Sequence, residues 1–126
     1  MAGPALFEAE QRGDIGIVRI SGRLATGADI DFSQKAREIK SLGCGKLVVE
    51  IGGVDSTGSS GIGFFVDLYT SIAKNPAGRF VLAGPSPRVL EVLRITRLST
   101  VIPIARNLEE GLAFCAREEG TASHAH

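Results

Sequence analysis

Lys46-Leu47-Val48-Val49-Glu50-Ile51-Gly52-Gly53-Val54-Asp55-Ser56-Thr57-Gly58-Ser59-Ser60-Gly61-Ile62-Gly63 is the stretch on which the fold turns. Lys46 to Ile51 is short, β-branched and almost continuously apolar, the composition of a strand covered on both faces and therefore central in its sheet. Gly52 to Gly61 combines glycines with hydroxyls as no other segment of the chain does, and it reads as a loop. Beyond it, Ile62, Phe65, Val66, Tyr69, Ile72 and Ala73 recur at helical spacing until Asn75-Pro76, where proline cannot continue the helix. Strand, loop and helix in this order form the unit of an α/β protein, and the loop at the carboxyl end of a central strand is where such sheets place function.

Toward the N-terminus, Leu6 to Glu10 and Ile15 to Ile20 flank Arg12-Gly13-Asp14 and predict a β-hairpin. Gly22 to Gly27 reads as a loop. From Asp29 onward Phe32, Ala36, Ile39 and Leu42 mark an amphipathic helix that Gly43 ends. Toward the C-terminus, Arg79 to Ala83 predicts a strand. Ser86-Pro87 then offers an N-cap with proline at the first helical position, and Val89, Leu90 and Leu93 supply the buried face. Thr100 to Ile104 predicts an edge strand, because Pro103 has no N–H for a ladder. Asn107-Leu108-Glu109-Glu110 has the spacing of a capping box opening a last helix through Leu112 and Cys115. The expectation is a single α/β domain over residues 1–118, ordered β-β-α-β-α-β-α-β-α, whose mixed, mostly parallel sheet of about five strands has helices packed on it. Residues 119–126, with His124 and His126, lack a packing pattern and read as a flexible tail, a poor metal site.

With 126 residues, 44% of them hydrophobic, the chain suits one globular core. Lys+Arg and Asp+Glu both number 14, which argues against a nucleic-acid binder that neutralises many phosphates. Its apolar runs are strand-sized, and Met1-Ala2-Gly3-Pro4 lacks a signal pattern, so a cytoplasmic protein without membrane insertion is expected. Cys44 and Cys115 have no paired spacing and read as structural free thiols.

Enzymatic readings find little support. A phosphate-binding loop needs a lysine after its last glycine, and Ser59-Ser60 follow Gly58 instead. A serine nucleophile needs a base, but both histidines are in the tail and no nucleophile-elbow motif is present. Asp14, Glu50 and Asp67 suggest no acid–base pair. What remains is a serine at a helix start: Ser59 or Ser60 as N-cap, beside the positive end of the helix dipole. Gly61 and Gly63 in the first helical turns each cost about 1 kcal/mol relative to alanine, so either close packing or a close-approaching partner is implied. A phosphoryl group on Ser59 would be tolerated by the helix end yet would disrupt a docked interface, which is the chemistry of a switch.

Leu47 to Gly63 resembles, without a gap, the STAS domain of anti-sigma factor antagonists: an apolar strand, a Gly-Val turn, then Asp-Ser-Ser-Gly-Leu-Gly and an apolar helix. Ser21-Gly22-Arg23-Leu24 is similar to that family's loop after its second strand. Ser86-Pro87-Arg88-Val89 and Leu93-Arg94-Ile95-Thr96-Arg97-Leu98 are similar to its third helix and exit. The resemblance implies a non-enzymatic regulatory module, without cofactor or metal, that binds an anti-sigma factor acting as serine kinase and is reset by a serine phosphatase. It implies a monomer or weak dimer. Partner contacts would come from Gly22, Arg23 and Leu24 and from Asp55, Ser56, Thr57, Gly58, Ser59, Ser60, Gly61, Ile62 and Gly63.

In the ungapped register Ser59 is the phosphate acceptor, and Gly58 stands where the family carries an aspartate. A second register on Asp55-Ser56-Thr57-Gly58 makes Ser56 the acceptor but requires an insertion before the helix. The ungapped one is preferred because it keeps Ile62, Phe65 and Val66 on the buried face. Two further readings stay open: a non-phosphorylated accessory subunit of a transporter or signalling assembly, and a small-ligand or nucleotide sensor using the helix N-terminus as anion site.

Overall fold

The computed structural model describes residues 6–24 and 31–116. Five strands form one mixed sheet in the order β1-β2-β3-β4-β5. They are β1 (Leu6–Arg12), β2 (Ile15–Leu24), β3 (Lys46–Thr57), β4 (Arg79–Ala83) and β5 (Ile104–Ala105), with helices α1 (Phe32–Lys40), α2 (Ser59–Ala73), α3 (Pro87–Ile95) and α4 (Leu108–Ala116) between and after them. The expected order of elements is the order found. β1 and β2 form the antiparallel hairpin, and every other neighbouring pair is parallel, as crossover connections through helices require.

β3 is central, and its alternation assigns the two faces. Leu47, Val49 and Ile51 point into the larger core with Phe64, Phe65 and Leu68 of α2, Ala36 and Ile39 of α1, and Val89 and Leu93 of α3. Val48 points the other way, with Val81, Ala83, Ala105 and Cys115, into a smaller core closed by α4. Gly111 lets α4 lie directly on the sheet, since a Cβ there would come 3.0 Å from Val48 and 3.3 Å from Ala83.

Three of the four described α-helices start on a side-chain cap. Asp31 accepts a hydrogen bond from Gln34 N–H at 3.0 Å and opens α1. The expected start at Asp29 lies outside the described residues. The Ser86 hydroxyl accepts from Val89 N–H at 3.3 Å, with Pro87 at the first position of α3. Asn107 Oδ1 accepts from Glu110 N–H at 2.9 Å. The Glu110 carboxylate returns not to Asn107 but to the N–H and guanidinium of Arg106, at 3.2 and 2.8 Å. Both cysteines are free, with Cys115 buried and Cys44 half-buried.

Three expectations are corrected. β2 does not stop at Ile20: it runs through Leu24, so Gly22 to Leu24 is strand, and only the remainder of the expected Gly22 to Gly27 loop lies outside the described residues. β3 continues through Gly52 and Gly53 to Thr57, which reduces the expected ten-residue loop to Gly58. The two extensions pair with each other, Ser21 with Gly53 and Leu24 with Thr57, across two register shifts. A Cβ at Gly53 would come 2.8 Å from Ser21 Cβ, and Gly22 has φ +94°, so these glycines serve a bulged ladder rather than a loop. Finally, Leu98–Thr100 is a 3₁₀ turn and β5 keeps only Ile104–Ala105. It lies at the sheet edge as expected, with the Pro103 carbonyl accepting from Leu82 N–H at 3.0 Å. The expected tail, 119–126, lies outside the described residues. No described helix is long and apolar enough to cross a membrane.

Candidate partner-docking site

The extension of β2 and β3 carries the candidate residues out to the carboxyl edge of the sheet. Gly22 pairs with Val54, Arg23 with Ser56 and Leu24 with Thr57, so two segments expected as separate loops meet as one ribbon. Gly58 N–H donates to the Leu24 carbonyl at 2.7 Å, and the Thr57 hydroxyl donates to the Gly58 carbonyl at 3.2 Å. The next residue, Ser59, is the first of α2. The chain thus passes from a ladder to a helix through one extended residue, Gly58, whose φ is −102°.

Close packing explains one of the two early helical glycines. A Cβ at Gly61 would collide with the Thr57 hydroxyl and lie 3.0 Å from Leu24 Cβ, so Gly61 lets α2 sit against the ribbon. Ile62 and Val66 pack against the larger core, and Phe65 is fully buried in it. Gly63 is different: it is exposed, and a Cβ there would meet nothing within 4 Å. Packing gives no reason for its glycine.

Neither Ser59 nor Ser60 caps α2, contrary to expectation. The N-cap is Gly58, which has no side chain to bond the first-turn N–H groups, and no acidic residue lies in the first turn. The positive end of the helix dipole lies at this start, a position that favours an anion. Ser59 is exposed there, whereas Ser56 is half-buried within the β3 ladder. Asp55 and Arg23 are exposed on the ribbon.

Beside this helix start is a surface hollow of about 290 Å³, lined by Phe32 and Ser33 of α1 and by Ser60, Gly63, Phe64 and Asp67 of α2. Phe32 and Phe64 meet at its base, ring centroids 5.4 Å apart. Phe32, Ser33 and Asp67 were not among the residues expected from sequence. The exposed glycine on an otherwise regular helix was the only signal pointing to this face. Among the described residues no cluster of His, Cys, Asp or Glu has the arrangement of a metal site.

A family profile described as STAS domain matches residues 7–111. No curated protein sequence matches the chain at a significant level. Among solved structures, an anti-sigma factor antagonist from Mycobacterium paratuberculosis is similar at TM-score 0.79 and 18% identity, covering 90% of this chain and 97% of its own. An anti-sigma-factor antagonist (STAS) domain protein from Planctomyces limnophilus gives TM-score 0.73 and 23% identity, over 88% and 98%. The Bacillus cell fate determinant SpoIIAA in its phosphorylated form gives TM-score 0.60 and 20% identity, over 96% and 100%.

Proposed function

Since the chain belongs to the STAS domain family, we propose that it is an anti-sigma factor antagonist that docks an anti-sigma factor acting as serine kinase, through the β2–β3 ribbon and the start of α2. In this reading the partner transfers the γ-phosphoryl group of ATP to the Ser59 oxygen, releasing ADP and the hydroxyl proton, and the phosphorylated domain dissociates. A serine phosphatase restores the hydroxyl. One observation carries the reading: Ser59 is exposed at the N-terminus of α2, at the carboxyl end of the central strand.

A phosphoryl group there brings about −1.5 to −2 charges. The positive end of the α2 dipole stabilises that charge by roughly 0.3–1 kcal/mol, so the domain tolerates it. A partner lying over Gly63 and the Phe32–Phe64 hollow meets a bulky dianion and is released. Ser56 is the weaker acceptor because a kinase would have to reach a half-buried hydroxyl within a paired strand.

Gly58 favours a second reading. It supplies no carboxylate beside Ser59, as a constitutive docking subunit of a transporter or signalling assembly would have no need of one. Intact-mass spectrometry after incubation with the candidate kinase and ATP, with Ser59→Ala and Ser56→Ala alongside, separates the two. One phosphate lost only in Ser59→Ala supports the switch, and loss only in Ser56→Ala moves the acceptor. Tight binding with no phosphate supports the constitutive subunit, and absence of binding to the unmodified domain overturns both.

A further inference from the structure

The chain is neutral, but its charge is unevenly spread. Between Asp67 and Glu109 the only acidic residue is Glu91, against Lys74, Arg79, Arg88, Arg94, Arg97 and Arg106. Two of these cations are engaged: the Arg106 guanidinium is held by Glu110, and that of Arg79 lies 5.7 Å over the Phe114 ring. Arg88, Glu91 and Arg94 follow at three-residue spacing on the exposed face of α3, where only Arg94 approaches Glu91, at 3.9 Å. Arg88 and Arg97 are exposed and have no carboxylate within ion-pair distance among the described residues.

The same surface carries two of the most exposed large apolar side chains of the described residues, Ile95 at 71% and Val101 at 56%. The turn joining them is firmly built. Thr96 Oγ1 donates to the Val92 carbonyl at 2.8 Å, Thr100 Oγ1 to the Arg97 carbonyl at 2.7 Å, and Ile102 N–H to the Leu98 carbonyl at 2.8 Å. Leu93 and Ile102 anchor it in the core. Arg97 sits at its apex with φ +65°, the only non-glycine residue with positive φ among those described. Glycine adopts this conformation freely and arginine does so at a cost, and the turn that imposes it holds the Arg97 side chain exposed.

We propose that the outer face of α3 and the 96–101 turn dock an acidic segment of a partner protein, its carboxylates on Arg88, Arg94 and Arg97 and its aliphatic side chains on Ile95 and Val101. Charge complementarity selects the occupant. All three cations are arginines, whose planar fork matches a carboxylate in two hydrogen bonds, and arginine is enriched while lysine is depleted at protein interfaces. Glu91 in the middle of the face opposes a continuous plane of lipid phosphates, whereas discrete carboxylates can be spaced around it. α3 leaves the carboxyl end of β4 and buries Val89 and Leu93 in the larger core beside β3, so Arg88, Glu91 and Arg94 are turned away from the sheet.

The test uses the full chain, isotope-labelled, titrated with an amphipathic peptide of glutamate and leucine, with its lysine–leucine counterpart and with phosphatidylcholine–phosphatidylglycerol vesicles. The expected result is amide shifts grouped within residues 88–101 for the acidic peptide alone. Binding should weaken at high salt, and by about tenfold in Arg88→Glu/Arg94→Glu. Ile95→Ser should weaken it independently of salt, and preserved spectral dispersion in each variant shows that folding is intact. Absence of shifts at millimolar acidic peptide, shifts centred elsewhere, affinity unchanged in the charge-reversed variant, or binding of the vesicles in place of the peptide would each overturn the proposal.

Discussion

Gly61 and Gly63 lie two residues apart on one helix, and alanine should have opposite effects at the two positions. Alanine in a helix interior is favoured over glycine by about 0.8–1.0 kcal/mol. At Gly63 the new methyl meets nothing within 4 Å, so Gly63→Ala should keep the whole gain and raise stability by about 1 kcal/mol, or roughly 3–5 °C in Tm for a domain of this size. At Gly61 the same gain is opposed by collision with the Thr57 hydroxyl and a 3.0 Å approach to Leu24 Cβ. Neither is the far end of a flexible side chain, and overpacking of this kind costs about 1–3 kcal/mol. Gly61→Ala should therefore be destabilising by up to about 2 kcal/mol, and Thr57→Ala in the same chain should recover part of the loss. Urea denaturation followed by circular dichroism, with slopes compared to verify two-state unfolding, measures all four proteins. If Gly61→Ala proved as stabilising as Gly63→Ala, the close seating of α2 on the β2–β3 ribbon would be wrong. The Gly63 variant also tests function: a more stable protein with weaker partner binding would mean that glycine is kept there for the partner's approach.

Three further outcomes are expected. Arg97→Gly should stabilise the fold by up to about 1 kcal/mol in thermal melts, because relief of roughly 1–2 kcal/mol of left-handed strain exceeds the entropic cost of glycine. The Arg19 and Arg12 guanidinium groups bonded to Glu10 hold its carboxyl below the ordinary 4.5, so its contribution is present above that value and is lost as pH falls through the lowered one; the stability difference between wild type and Glu10→Gln should vanish in acid, and a constant difference would refute the pairing. Burial pushes the Cys115 thiol up to about 11, so at mildly alkaline pH a thiol reagent should label half-buried Cys44 first and Cys115 only on unfolding; equal native rates would show that α4 does not seal its core.

Much of the fold was legible because its signals are local. Periodicity located α2 and the apolar half of β3, and Ser86-Pro87 and Asn107 to Glu110 marked helix starts through side chains that reach their own backbone. The ends of β2 and β3 were illegible for the opposite reason. Gly22, Gly52 and Gly53 have low strand propensity, and only pairing between segments some thirty residues apart makes them strand. Thr100 to Ile104 had the composition of a strand, but bonds back to Arg97 and Leu98 wound its start into a turn.

The candidate site divides along the same line. Sequence by itself determined that Ser59 lies in a glycine- and hydroxyl-rich connection between a central strand and an amphipathic helix, since strand period, helix period and loop composition are properties of consecutive residues. Tertiary structure decided that Gly58 rather than a serine is the cap, that Arg23 lies beside Ser56, and that Phe32 of α1 joins Gly63 and Phe64 of α2 around one hollow. It also decided that Gly61 is fixed by packing while Gly63 is open. Contacts between distant segments depend on how helices seat on a sheet, and that seating minimises the free energy of the whole core rather than of any window of the chain.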